Sequence, residues 1–299
     1  MSLYSELFAL CKKIGCEYSE TALLSDYTSF KIGGKADAMV FPDSLEKIKN
    51  IVSFADEQKM PVFILGKGSN LLVGDEGVKG VVINTCRFDK IELVDETTIV
   101  CQSGASLMRL CRFALENSLT GLEFAFGIPG TAGGAAYMNA GAYGGEMKDV
   151  LVECGHLKNG VEGSFSGEEL KLGYRKSVYS DKDYIITSLT LKLQKGNKEE
   201  IKAKMDDLMS RRKDKQPLEF PSAGSTFKRP EGYFAGALIE QCGLKGFTVG
   251  GAQVSEKHAG FVINTGSATA KDVNELIAHC QKTVYENTGV LLEPEVKII

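Results

Sequence analysis

Two glycine-rich segments hold the residues of this chain best suited to chemistry: Gly66-Lys-Gly-Ser-Asn70 and the run from Gly127 to Gly145. Seven of the nineteen residues from 127 to 145 are glycine, and almost no charge interrupts them. Glycine loses more backbone freedom on folding than any other residue, so this concentration implies positive φ angles or backbone pressed against a neighbour. Bare backbone can aim several N–H groups at one anion, the arrangement that holds phosphates. The other use is a tight buried loop where chain segments cross. Pro129, Asn139 and the small residues of the run suit either.

Spacing excludes two familiar phosphate motifs. A P-loop requires G-x-x-x-x-G-K-[ST], which Gly66-Lys-Gly-Ser69 does not supply. A dinucleotide-binding βαβ unit requires a third glycine where Leu71 stands, and the glycine-bearing stretch Leu71–Gly80 leaves no room for a crossover helix. What remains is a strand, a glycine turn and a second strand, presenting N–H groups and the Ser69 and Asn70 side chains. Two such loops closing on one extended ligand point to a diphosphate with a large aromatic head group.

The elements that must position these loops are legible from periodicity. Leu3, Leu7, Leu10, Cys11 and Ile14 recur at helical spacing. Asp43-Ser-Leu-Glu46 reads as a capping box opening a helix with Ile48, Ile51, Val52 and Ala55 on one face. Strands are expected at 61–65, 71–73 and 81–83, separated by Gly74, Gly77 and Gly80. A second amphipathic helix spans Ser106 to Asn117. Strands follow near 150–157 and 184–193, then a charged helix from Asn197 to Lys213, stopped by Pro217 and Pro221. Further elements are a helix over Lys271–Asn287 and strands at Gly260–Asn264, Val290–Leu292 and the C-terminus.

At 299 residues, two domains are expected. The formal net charge of −4 argues against a dedicated nucleic-acid binder. No apolar run approaches the roughly 20 residues that span a bilayer, and the charged N-terminal stretch is no signal-peptide core, so a cytoplasmic protein is expected. The eight cysteines include no C-x-x-C and suit neither a zinc site nor a disulfide framework; three histidines show no ligand spacing, so no metal is expected. Cys101, Cys111 and Cys280 read as small buried apolar residues.

Gly66-Lys-Gly-Ser-Asn-Leu-Leu-Val73, the 127–145 run and Ser29-Phe-Lys-Ile-Gly-Gly-Lys-Ala-Asp37 together resemble the flavin-binding fold shared with vanillyl-alcohol and para-cresol oxidases. Gly173-Tyr-Arg-Lys-Ser177, Ala223-Gly-Ser-Thr-Phe-Lys228, His258-Ala-Gly-Phe-Val-Ile-Asn264 and Glu293-Pro-Glu-Val-Lys297 narrow the resemblance to the UDP-N-acetylenolpyruvoylglucosamine reductases, in their shorter form. These stretches span nearly the whole chain, and their joint order is far more specific than any one alone. The resemblance implies an α+β architecture: a two-subdomain FAD-binding fold over residues 1–205, split near 90–100, and a smaller α+β substrate-binding domain over 206–299.

It also implies non-covalent FAD held by Gly66, Lys67, Gly68, Ser69, Asn70, Leu71, Gly127, Ile128, Pro129, Gly130, Gly133, Gly134, Asn139 and Gly141. NADPH would reduce the flavin, which would deliver hydride to the enolpyruvyl ether of UDP-N-acetylglucosamine-enolpyruvate, giving UDP-N-acetylmuramate for peptidoglycan. Three residues take catalytic roles by resemblance. Arg175 offers a bidentate, permanently cationic fork for the substrate carboxylate; Glu295 pairs with it there; Ser225 protonates the adjacent carbon. Glu293 and Ser222 lie close enough in sequence to be confused with Glu295 and Ser225. Tyr174, Lys215 and Lys228 are expected at the substrate, with one or two cations among 211–229 meeting its diphosphate. Gly260 stands where many relatives carry asparagine, so no polar contact is assigned there. No obligate protein partner is expected.

Two other classes compete. A flavin oxidase of the same fold often attaches flavin through histidine or cysteine, which the glycine loops lack. A flavin-binding regulator without catalysis has no need of an intact Arg175, Ser225 and Glu295.

Overall fold

The computed structural model describes residues 3–180 and 182–299. Its chain forms two compact units that interleave in sequence. The first comprises Met1–Glu20, Ala38–Gly66 and Gly80–Arg211; the second comprises Thr21–Asp37, Lys67–Lys79 and Arg212–Ile299. A single cut at 205/206 does not describe them, because two short early stretches pack with the C-terminal residues. Hydrogen bonds fix this grouping: Lys297 N–H donates to Asn70 O at 3.0 Å, Ile299 N–H to Leu72 O at 3.0 Å, and Asn264 Nδ2 to Phe30 O at 3.1 Å.

In the first unit, helices α1 (Leu3–Ile14) and α2 (Leu45–Glu57) bury Leu7, Cys11, Ile48, Ile51, Val52 and Ala55 in one cluster with Val40, Val81 and Ile83. A second cluster gathers α3 (Leu107–Glu116) and α4 (Ala132–Tyr137) with a five-stranded antiparallel sheet. Its strands lie in the order Val161–Ser166, Leu151–Lys158, Ile185–Lys192, Thr98–Gln102 and Ile91–Leu93. Ile99 and Cys101 are buried while Val100 and Gln102 are half-buried, the two-residue alternation of a sheet covered on one face. The long α5 (Lys198–Lys215) buries Ile201, Met205 and Leu208 and ends just before Pro217, two residues beyond the expected Lys213.

In the second unit, α6 (Ala235–Gln241) and α7 (Ala270–Thr288) share a core with an antiparallel sheet ordered Ser222–Ser225, Phe261–Asn264, Ala252–Val254, Thr248–Val249. A short parallel pair joins Leu71–Leu72 to Lys297–Ile298. The mixture of helices and sheets is the expected α+β class.

Three local expectations change. The N-cap of α2 is Ser44, whose Oγ accepts Lys47 N–H at 3.3 Å; Lys47 occupies the third helical position, so no reciprocal glutamate exists, and Asp43 instead pairs with the Lys47 ammonium at 2.8 Å. Val290–Leu292 forms no strand: Leu292 O accepts Gln281 Nε2 at 2.8 Å and Val290 N–H donates to Thr288 Oγ1 at 3.2 Å, so side chains of α7 take the groups a strand would pair. Gly80 lies inside the strand Val78–Asn84 at φ 85, where a Cβ would sit 2.2 Å from Pro61 O.

Ser103 Oγ is sealed from solvent and has no hydrogen-bond partner among the described residues. Replacing Ser103 by alanine should raise stability by about 1 kcal/mol; urea unfolding curves read this as a later midpoint at unchanged slope. An earlier midpoint would mean that the hydroxyl is satisfied in solution.

Candidate active site

The turn after the strand Val62–Leu65 supplies the open donors. Among the described residues, the N–H groups of Lys67, Gly68, Ser69 and Asn70 donate to no protein acceptor. Gly68 adopts φ 59, and its carbonyl is taken by Ser29 N–H at 3.2 Å, which leaves the N–H side of the turn uncommitted. Only glycine fits there, because a Cβ would lie 2.5 Å from Tyr27 O and 2.9 Å from Thr28 Cα. Four unspent donors on consecutive residues suit a diphosphate.

The 127–145 run behaves differently. Thr131 Oγ1 caps α4 by accepting Gly134 N–H at 3.3 Å; Ala132 N–H donates to Ala105 O at 2.7 Å and Gly133 N–H to Ser103 O at 2.8 Å. The N–H groups of Ile128 and Gly130 are spent on Ala125 O and Ile128 O. The donors expected at Ile128, Gly130, Gly133 and Gly134 are therefore consumed by the fold, and a six-residue helix keeps none at its start. Gly133 serves close approach instead. A Cβ at Gly133 would meet Ser103 Cβ at 2.8 Å, and one at Gly66 would meet Thr131 Oγ1 at 2.6 Å, so Gly66 and the run do come together, through a threonine that sequence reasoning passed over.

Asn139, expected at the cofactor, is buried and its amide is fully engaged. Nδ2 donates to Glu146 Oε2 at 2.8 Å and Gly173 O at 2.9 Å, and Oδ1 accepts Lys148 N–H at 2.9 Å. Gly173 opens the turn that carries Arg175, closed by Gly173 N–H to Lys176 O at 2.9 Å and Lys176 N–H to Gly173 O at 3.2 Å. Arg175 itself adopts φ 53, a conformation that favours glycine; its Nη1 donates to Gly141 O at 3.3 Å, and its guanidinium lies 5.4 Å from the centre of the exposed Tyr174 ring.

The second unit brings together Ser225, Glu295 and Asn70. Thr226 is the fixed point: its N–H donates to Gly260 O at 2.8 Å, its Oγ1 accepts Val262 N–H at 2.9 Å, and its carbonyl accepts Glu295 N–H at 2.8 Å. Asn70 Nδ2 donates to Glu295 O at 3.2 Å. Ser225 is exposed, after a bulge in which Gly224 takes φ 80. Ser222 is distinguished from it because Ser222 O accepts Ser29 Oγ at 2.7 Å. Glu293 is distinguished from Glu295 because it forms an ion pair with Lys228, which commits that lysine to a carboxylate. Lys215 is exposed in the last turn of α5. Burial holds the His258 imidazole below its usual range. Its Nδ1 accepts Gly260 N–H at 3.1 Å, and a Cβ at Gly260 would sit 2.9 Å from the ring, so glycine at 260 follows from this histidine.

Comparison with known proteins gives this geometry its class. Residues 36–157 match a family model described as an FAD binding domain, and the open donors at 67–70 have the chemistry its diphosphate needs; the chain is an FAD-binding oxidoreductase. Residues 216–299 match a model described as the C-terminal domain of UDP-N-acetylenolpyruvoylglucosamine reductase. A protein of that name from Caldanaerobacter subterraneus subsp. tengcongensis is 52% identical over 275 residues, covering 91% of this chain and 90% of the relative. One from Clostridium perfringens is 50% identical over 305 residues, covering 100% and 99%. The crystal structure of UDP-N-acetylenolpyruvylglucosamine reductase from Thermus caldophilus superposes with a TM-score of 0.82 at 38% identity, covering 95% of this chain and 99% of that one.

The chain belongs to the UDP-N-acetylenolpyruvoylglucosamine reductase family, whose cofactors are FAD and NADPH and whose work lies in peptidoglycan precursor synthesis. Among the described residues, no helix is long and apolar enough to cross a membrane.

If the 67–70 turn holds the diphosphate, Gly68→Ala should weaken FAD binding at least tenfold, since the new methyl forces the turn's backbone off Tyr27 and misdirects its N–H groups. Titration of the apoprotein with FAD, followed by flavin fluorescence, measures this. Unchanged affinity would remove the turn from the cofactor site.

Proposed function

We propose that this chain reduces the enolpyruvyl ether of UDP-N-acetylglucosamine-enolpyruvate to UDP-N-acetylmuramate. The reading rests above all on the second unit's assembly of Ser225 and Glu295 on adjoining extended segments pinned by Thr226, with Asn70 on the Glu295 backbone. The N–H groups of Lys67–Asn70 would hold the FAD diphosphate, and the bound flavin would supply hydride transfer from NADPH to the substrate's methylene carbon.

Hydride addition at that carbon leaves negative charge delocalised into the substrate carboxylate, and the protein must hold this group, stabilise the charge and supply one proton. Arg175 is assigned to the carboxylate, because its planar fork donates two parallel hydrogen bonds and never loses its charge. Glu295 is assigned to the same group. Ser225 is assigned as proton donor to the adjacent carbon. A serine hydroxyl is a weak acid, so it can serve only against a strongly basic carbanion, which this step provides. Tyr174, Lys215 and Lys228 are assigned to the nucleotide sugar; Lys228 would exchange Glu293 for phosphate oxygens. A nucleotide-sugar substrate and a nicotinamide donor point to the cytoplasm.

The two half-reactions separate these roles. In Ser225→Ala, NADPH should bleach the flavin at the normal rate, while reoxidation by the enolpyruvyl substrate slows by roughly 10²-fold or more, as for a lost general acid. Arg175→Lys should slow the same half-reaction despite its retained charge. Stopped-flow absorbance distinguishes them; equal slowing of both half-reactions in Ser225→Ala would make the serine structural.

A further inference from the structure

We propose that Asn139 is a positioning residue for Arg175, an inference that rests on the assignment of Arg175 to the substrate carboxylate. Three alternate residues of the glycine run reach the segment that carries Arg175. Tyr137 O accepts Ser177 Oγ at 2.8 Å, the Asn139 amide donates to Gly173 O at 2.9 Å, and Gly141 O accepts Arg175 Nη1 at 3.3 Å. Asn139 is the link with no slack. It is 1% exposed, both its N–H bonds and its carbonyl oxygen are used, and its backbone takes φ 41, a conformation asparagine tolerates better than most residues.

The turn needs such an anchor. Its third residue is Arg175 at φ 53, where glycine would be relaxed, so the surrounding structure must over-determine that conformation. Gly173 O receives the turn's own closing bond from Lys176 and, from the far side, the Asn139 amide. Glu146 in turn fixes the amide's orientation, because its carboxylate accepts the other N–H at 2.8 Å while pairing with Lys148 at 3.1 Å. Loss of the Asn139 amide leaves the turn free to relax and spreads the guanidinium over several positions, which a bidentate contact does not survive. Displacement of about 1 Å in such a group is enough to cost on the order of 10²-fold in rate.

The test is a double-mutant cycle in FAD-loaded enzyme, with flavin reduction by NADPH and reoxidation by the enolpyruvyl substrate measured separately. Asn139→Ala should slow reoxidation on the order of 10²-fold while leaving flavin reduction and FAD affinity near wild type. In an Arg175→Ala background it should cost nothing further, because a residue acting through Arg175 has no target there. Multiplying effects in the double variant, or loss of FAD binding in Asn139→Ala, would overturn the proposal and return Asn139 to a general structural or cofactor role. Normal reoxidation in Arg175→Ala alone would instead sink the underlying assignment of Arg175. Should Asn139→Ala fail to fold, Glu146→Ala loosens the same amide and enters the same cycle with the same expected outcomes.

Discussion

A buried peptide N–H must find an acceptor, and this constraint divides the two glycine-rich segments by use. The 127–145 run is packed into the first unit, and the N–H groups of Ile128, Gly130, Ala132, Gly133 and Gly134 all donate to protein oxygens. Gly133, Gly141 and Gly145 are packed so closely that a Cβ would come within 3 Å of Ser103, Glu146 and Phe124 respectively. The 67–70 turn keeps its donors, because its acceptor side is engaged with Ser29 and Lys297 while its N–H side is not. Glycine content alone cannot separate a segment with open backbone donors from one whose donors are spent on packing. The fate of each N–H can.

Most elements were legible because each carries its own local signal. Helices α3 and α7 follow from apolar spacing, and the strands at 151–158 and 185–192 from apolar runs between turns. The failures share a cause. Asp43 looked like a cap because Glu46 follows three residues on, yet the register that buries Ile48 and Ile51 starts the helix one residue later. Val290–Leu292 has strand composition, but no partner was available and α7 side chains satisfied its backbone. The interleaving of units was invisible, since it rests on contacts such as Asn264 to Phe30 that no local pattern encodes.

The candidate site divides in the same way. Arg175, Ser225 and Glu295 were reached through motif resemblance, and sequence spacing alone could not have joined Ser225 to Glu295 across seventy residues. Asn139 came by the same resemblance, as a cofactor residue, and its bond to Gly173 thirty-four residues ahead is encoded by no local pattern. Thr226 went unnoticed beside Ser225 because a buried threonine is ordinary until its hydrogen bonds are traced. Residues assigned to ligand carry recognisable chemistry; residues such as Thr226 that pin the backbone carry only geometry.

For the proton-donor role proposed for Ser225, the decisive constraint is strand register. Neighbouring residues of an extended strand face opposite ways, so a slip of one position would bury Ser225 and expose Thr226. Thr226 forbids the slip: its N–H, carbonyl and hydroxyl are tied to Gly260, Glu295 and Val262, three partners from two adjoining segments. The bulge at Gly224 then sets where Ser225 emerges, and the Glu295 backbone, held from its other side by Asn70, cannot move independently of it. In the proposed role, a hydroxyl this weak as an acid gains nothing from tuning its pKa within reach of a protein environment. It gains from always standing in the same place, and the hydrogen bonds around Thr226 are spent on that.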